Sequence, residues 1–414
     1  MKVLFLCNNV NALNSGGHQR LSHLLKAIAA VSEITLVYPI AHNAIGPDVQ
    51  ALRPFCNKVY TFPLESLAYQ RDPLLPGPIF WTWHKLRYLH PVASAFMQQM
   101  RSENANAVVA GIGSQRFDLI WCQRISSIQM LPRSPRSRVI VDLDDLEHRK
   151  LRNRLQLRKD PPHMIPLQWF EYFKLRKLEH SLHELPYEFG VCSRIDRDDL
   201  GRNTKVWVIP NGVDLPARPA RKEKENTEPV LVFVGLMSYE PNADAAQFFV
   251  QRVLPLLQRE VPNIKFLIVG RDPTPAVRQL HDGKSVFVTG TVPDVAEYLL
   301  SASVVVVPIR FGGGTRVKIL EALAHRKAIV STTMGAEGIE VQSGKHLLLA
   351  DSPEDFAKAC TRLLKDAALC SRLGEEGFNL VRDCYQWKRI EGMIEDIVLG
   401  RAASPPRVLD TVSR

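Results

Sequence analysis

Nowhere in the 414 residues does an apolar run approach the roughly 20 residues needed to cross a bilayer. The opening run Val3-Leu4-Phe5-Leu6-Cys7 stops at Asn8 and Asn9, too soon for the core of a secretory signal. The expectation is a cytoplasmic protein whose contact with a membrane is at most peripheral, on the inner face. The seven cysteines are scattered from Cys7 to Cys384 with no C-x-x-C pair, a pattern of neither a zinc cluster nor a disulfide framework, so reduced thiols are expected. There is no self-similar period of the kind that builds solenoids and no low-complexity tract. A phosphate-binding P-loop is also missing, because Gly314 is not followed by Lys and then Ser or Thr; ATP hydrolysis is not indicated.

What is present is ordinary in bulk and informative in pattern. Hydrophobic residues make up 45% and charged residues 23%, a balance that fits a soluble globular chain. The length exceeds what one core usually holds, so two domains are expected. A net charge of +10 favours anionic partners without choosing among phosphates, lipid headgroups and nucleic acid.

Short continuous apolar runs alternate with helical periodicity. Val3 to Cys7, Ile34 to Val37, Phe117 to Cys122 and Val139 to Val141 read as buried strands, and Leu21, Leu24, Leu25 and Ile28 mark the first helix. After the polar run Ala217 to Glu228 a second series begins: strands Val230 to Val234, Lys265 to Val269, Val286 to Thr289, Val304 to Pro308 and Ala328 to Ser331, with helices Ala243 to Glu260 and Thr315 to Ala324. Such alternation predicts two doubly wound α/β domains with parallel sheets covered on both faces. The expected layout is a first domain over 1–212, a linker over 213–228, a second domain over 229–384, a returning helix over 385–401 and a loose tail over 402–414.

The segment with most chemistry is Val304-Val305-Val306-Val307-Pro308-Ile309-Arg310-Phe311-Gly312-Gly313-Gly314-Thr315-Arg316-Val317-Lys318-Ile319-Leu320-Glu321. A buried strand ends, glycines let the backbone come close to a ligand, and a helix N-terminus follows beside Arg316 and Lys318. Those parts converge on an anion. Glu321, further into the helix, can accept hydrogen bonds from two vicinal ribose hydroxyls.

Here the chain resembles the retaining GT-B glycosyltransferases of family 4 (glycosyl transferases group 1), in a bacterial variant associated with exopolysaccharide synthesis. The resemblance covers nearly the whole chain: Gly16-Gly17 after the first strand, Ser193 and Leu200, Ile209-Pro210-Asn211-Gly212-Val213-Asp214, Phe233-Val234-Gly235 with Tyr239, Pro241, Asn242 and Asp244, and Glu321 itself. It implies a GT-B fold and a nucleotide-sugar donor, UDP- or GDP-linked, as substrate with no further cofactor and no metal. It also implies a glycan or lipid-linked acceptor and no nucleic-acid partner. By match to the family, Glu321 binds the ribose, and Gly16 and Gly17 face the donor diphosphate. The family's first glutamate falls on Gly313, and its diphosphate-gripping arginine and lysine fall on Leu236 or Met237 and Pro241. Arg316 and Lys318 therefore become the expected source of that charge, with Arg271 in addition. The donor-site residues expected are Gly16, Gly17, Gly235, Arg271, Gly312, Gly313, Gly314, Thr315 and Glu321, and those acting on the reaction are Arg316, Lys318 and Asp144.

Other signals compete. The apolar strand ending Asp142-Leu143-Asp144-Asp145 also fits a haloacid-dehalogenase-like phosphatase built on Asp142 and Asp144, and a non-catalytic GT-B protein that binds glycans is a third reading. His18 reads as a solvated loop histidine. Trp81, Trp83 and Tyr88 with Lys85 and Arg87 form either an acceptor-facing patch or core. The basic, aromatic stretch from Arg149 to Lys177, with Trp169, Phe170, Tyr172 and Phe173, suits either an anionic membrane or an ordinary solvated helix face.

Overall fold

In the computed structural model, residues 1–9, 16–40, 46–63, 94, 97, 102–113, 116–132, 135–157, 161–201, 205–216 and 228–402 are described. The chain divides into two units, Met1–Pro210 rejoined by the chain from Ile390, and Asn211–Arg389.

The apolar runs become strands because each can be buried on both faces of a parallel sheet. In the first unit they are β1 (Lys2–Cys7), β2 (Glu33–Ile40), β3 (Lys58–Pro63), β4 (Leu119–Gln123), β5 (Arg138–Asp144), β6 (Glu188–Val191) and β7 (Val206–Val208). All pairs are parallel, in the order β3-β2-β1-β4-β5-β6-β7. Phe5 of β1 lies opposite Leu36 of β2 and Trp121 of β4, and its ring stacks on that of Trp121. The second unit holds β8 (Val230–Val234), β9 (Lys265–Val269), β10 (Val286–Gly290), β11 (Val304–Val307), β12 (Ile329–Ser331) and β13 (Leu348–Leu349), again parallel, in the order β10-β9-β8-β11-β12-β13. Its core joins these strands to Phe249, Leu257, Leu320, Leu323 and Phe356.

Both sheets reverse their winding direction at one place, between β1 and β4 and between β8 and β11. In open α/β sheets ligands bind outside the carboxyl ends of the strands at this reversal. The sheet order thus points to the loop after β8 and the loop after β11.

Several elements differ from the sequence expectation. The edge strand β3 carries only one buried side chain, Phe62, so it has no apolar run to announce it; β6, β7 and β13 are two to four residues long. The helix expected over Ala243 to Glu260 starts at Glu240, since Pro241 is preorganised for a first turn. It then widens into a π-turn over Phe249–Val253, just before Pro255, whose ring nitrogen cannot donate to the preceding turn. The helix expected from Thr315 spans Val317–Ala324. Gly16 and Gly17 are the first residues of the helix Gly16–Val31, not part of a loop before it, and His18 in that helix is buried.

The last helix, Trp387–Val398, crosses the division between units at Ile390. Within the first unit, Arg138 donates to the carbonyls of Ile397 and Val398 at 2.8 and 3.1 Å, and Glu391 accepts from Lys26 at 2.9 Å. Most of the expected linker and all but the first residue of the expected tail lie outside the described residues.

Candidate functional site

The loop after β8 begins at Gly235, whose N–H donates to Val269 O at 3.0 Å. A Cβ on Gly235 would stand 2.7 Å from Asn242 Nδ2 and 2.9 Å from Lys318 Nζ. Only a bare backbone lets both polar heads lie against it. Behind it Gly270 adopts φ +149°, and a Cβ there would fall 1.8 Å from Gly235 O, so Gly270 is required by the approach of the two main chains. Gly312 has φ +118°; a Cβ on it would lie 3.0 Å from Arg316 Nη2 and 3.3 Å from Pro241 Cγ.

These contacts place the cations. Lys318 Nζ donates to Asn242 Oδ1 at 2.6 Å and sits 4.5 Å from the centre of the Phe233 ring. Arg316 is buried, and one of its N–H groups donates to the Gly313 carbonyl. Its Nε and Nη2, like Thr315 Oγ1, are buried with no hydrogen-bond partner among the described residues. Unsatisfied buried donors are uncommon and costly; a guanidinium with two of them is held ready for acceptor oxygens. Gly312 thus lies between Arg316 and Pro241, and Lys318 lies against Gly235. Sequence position alone did not bring them there.

Burial, then the adjacent Arg316 charge, pulls the half-buried Lys318 down to about 7, with Glu321 opposing. Burial likewise raises Glu321, against the pull of Lys318, and no described residue hydrogen-bonds its carboxylate. A depressed lysine, an orphaned arginine and a raised carboxylate on one helix start are the marks of a ligand site. Arg310, inside the same motif, is committed elsewhere: it makes a two-point ion pair with Asp244 at 2.6 and 2.9 Å and lies over the Phe248 ring. Arg271 has its carbonyl bonded to the Met237 N–H at 2.9 Å. Next to it, Asp272, Arg278, His281, Thr289 and Gly290 line a groove of about 530 Å³.

In the first unit the strand-end aspartates do separate jobs. Asp142 is fully buried, and both its oxygens accept from Arg20, at 3.0 and 2.7 Å; Arg20 also donates to Ile209 O at 2.9 Å. With both oxygens engaged by Arg20, Asp142 is spent on an internal ion pair, which gives the phosphatase reading no support. Asp144 has φ +62°, uncommon for a residue with a side chain. It pairs with Arg124 at 3.2 Å and with Arg20 at 3.5 Å, while burial and Asp145 raise its pKa against those two cations. Gly16, Gly17 and Asp144 belong to this unit, and the Arg316, Lys318 and Glu321 cluster belongs to the other.

The basic stretch is partly spent on internal pairs. Arg149 meets Asp196, Lys150 meets Asp145 and Glu147, and Lys174 meets Glu171. Arg152, Arg176 and Lys177 stay exposed, as do Trp169, Phe170 and Phe173, while Tyr172 is buried. Arg158, Lys159 and the aromatic group Trp81, Trp83, Lys85, Arg87 and Tyr88 lie outside the described residues.

Asn242 and Phe233 were missed as the holders of Lys318, and Arg20 as the partner of Asp142. Each is a contact between distant segments, and no local pattern signals it.

Known proteins share parts of this sequence and its fold. Residues 228–366 match the family model described as "Glycosyl transferases group 1". A 44.6 kDa protein in the cps region of Klebsiella pneumoniae is 20% identical over 231 residues, which are 53% of this chain and 59% of that protein; this chain therefore spans less than two thirds of that relative. Among solved structures, sucrose-phosphate synthase from Thermosynechococcus elongatus superposes with a TM-score of 0.66 at 19% identity, over 96% of this chain and 98% of the other. HepE of Anabaena, in complex with UDP, gives 0.63 at 14% identity over 97% and 100%. The fold is thus α/β and of the GT-B class.

Proposed function

We propose, on the match of residues 228–366 to the model of the glycosyl transferases group 1, that this chain transfers a sugar from a nucleoside-diphosphate donor to a glycan or lipid-linked hydroxyl, with retention and without a catalytic metal. The observation that carries the reading is the buried Arg316 guanidinium with two unmet donors beside Lys318 and the glycine-lined strand ends. The donor's diphosphate lies on these groups and on the N-terminus of the helix Val317–Ala324. As the anomeric bond breaks, negative charge grows on the departing diphosphate, and preorganised donors stabilise it without reorganising. The site's own cations do the neutralising. Glu321 takes the ribose hydroxyls, and the groove by Asp272 and Gly290 takes the base. The UDP complex of HepE, and its UDP-glucose complex at 16% identity, support UDP as the nucleotide. The cps-region relative supports a polysaccharide as product.

Calorimetric titration with UDP, GDP and ADP tests the donor site. One equivalent of UDP or GDP is expected to bind. Lys318 sits near 7 in the free protein, and a bound diphosphate favours its charged form. Affinity is therefore greatest at and below about pH 7 and falls above it by up to about tenfold per pH unit, with proton uptake on binding. If none of the three nucleotides binds at any pH, the donor-site assignment fails.

No described helix is long and apolar enough to cross a membrane. The exposed Trp169, Phe170 and Phe173 beside Arg176 and Lys177 support peripheral contact with an anionic bilayer, where a lipid-linked acceptor would be found. Co-sedimentation with phosphatidylglycerol vesicles is expected, weakened several-fold by Phe173→Ser; equal binding to neutral vesicles would contradict it.

A further inference from the structure

Away from the donor site, three helices of the first unit bring a second set of chemical groups together. His148 stands at the start of the helix Glu147–Gln156, His180 ends the helix Ile165–His180, and Asp199 lies near the end of the helix Arg194–Leu200. One ligand-type atom from each of these three lies within 4.8 Å of the others. His148 Nε2 is 2.8 Å from Asp199 Oδ2. Its other nitrogen, Nδ1, is held by Glu179, which also accepts from the main-chain N–H groups of Glu147 and His148 at 2.8 and 3.2 Å. The ring is therefore fixed by a carboxylate on one side and offered by its other nitrogen to the cluster. That is the arrangement by which proteins orient a metal-binding imidazole. His180 Nε2 is buried and has no hydrogen-bond partner among the described residues, which the Glu179–His148–Asp199 chain alone leaves unexplained.

We propose that His148, His180 and Asp199 form a structural binding site for a divalent transition metal of the zinc class, with Glu179 orienting His148 from behind. Two imidazole nitrogens and one carboxylate oxygen suit zinc, whose bonds of about 2.0–2.2 Å need ligand atoms roughly 3.3 Å apart. The metal would clasp the ends of three helices, two of which carry the basic and aromatic stretch, and would take no part in sugar transfer. His148 must give up a proton, since hydrogen bonds to Asp199 and Glu179 outweigh burial and raise it to about 9. Arg149, 4.0 Å from Asp199 and 3.3 Å from Asp196, opposes a cation but is itself matched by Asp196. A second such cluster among the described residues, Asp144, Asp145 and Cys192, is already neutralised by Arg20, Arg124 and Lys150, and burial keeps the Cys192 thiol protonated.

The test uses the full chain without a histidine tag, incubated with zinc chloride at mildly alkaline pH, desalted and assayed for metal by mass spectrometry. One equivalent of zinc per chain is expected, with a raised melting midpoint that a chelator reverses. His180→Gln, which removes no side-chain hydrogen bond to a described residue, should lower zinc affinity by at least about 100-fold while circular dichroism and UDP binding stay as in the parent. Asp199→Asn serves as a second variant should His180→Gln misfold. Cobalt in place of zinc should show the visible bands of a tetrahedral site. No uptake by the parent chain, uptake that survives both substitutions, or loss of zinc in Cys192→Ser instead would each overturn the proposal.

Discussion

Replacing Arg316 by alanine is expected to lower kcat/KM for sugar transfer by about 10²–10³-fold, the range found when one preorganised donor to a developing anion is removed. The melting temperature should hardly change. In the structure Nε and Nη2 of this side chain are buried without partners, so it carries a desolvation cost that alanine removes. A residue whose loss costs activity and leaves stability level, or slightly improved, is one kept for its ligand. Steady-state kinetics and a thermal melt on the same preparation check both halves. Should kcat/KM drop less than about fivefold, the diphosphate is held by something else; should the melting temperature collapse, Arg316 is a structural strut like Arg310.

The opposite signature is expected at Arg20. Arg20→Ala should destabilise the first unit by roughly 3–5 kcal/mol, because it leaves the fully buried Asp142 carboxylate without its two-point partner. It also frees the Ile209 carbonyl that Arg20 caps at 2.9 Å. Arg20→Lys should recover only part of the loss, since an ammonium cannot span both oxygens. Urea unfolding followed by a probe confined to the first unit is the measurement, because two units need not melt together. A loss under about 1 kcal/mol would mean that Asp142 finds water or another donor. It would also reopen that aspartate as a reactive group.

Gly313 sharpens the question of sugar identity. The resembling family has a glutamate at that position, whereas here the backbone carbonyl of Gly313 is occupied by Arg316. The change and the new contact belong together: a side chain of glutamate size is given up and an arginine three residues on is folded back over the glycines. On the proposed reading, charge that the resembling family draws from the loop after β8 would come in this chain from the loop after β11.

Much of this was legible from local pattern. Continuous apolar runs such as Val304 to Val307 can only be buried on both faces, so their alternation with helices dictated two parallel α/β sheets. Gly312-Gly313-Gly314 ahead of Arg316, Lys318 and Glu321 stood out as a candidate anion site because glycine, cation and helix start are neighbours in the chain. Less legible were elements whose burial is incomplete, such as β3, and helix ends, where Gly16, His18 and Thr315 fell on the wrong side of a boundary. At those places local preference is weak and packing decides.

What the chain order determined by itself is the architecture and the residues of the candidate donor site, because hydrophobic period and short motifs act over a few residues. Only the tertiary structure decided which charges are used and which are spent. Arg310 and Arg316 look alike in sequence, six residues apart, yet one is neutralised by Asp244 and the other left with unmet donors. The reason is that a charge's role depends on its partners across space, and Asp244, Asn242, Asp142 and Glu179 reach theirs only once distant segments have been folded together.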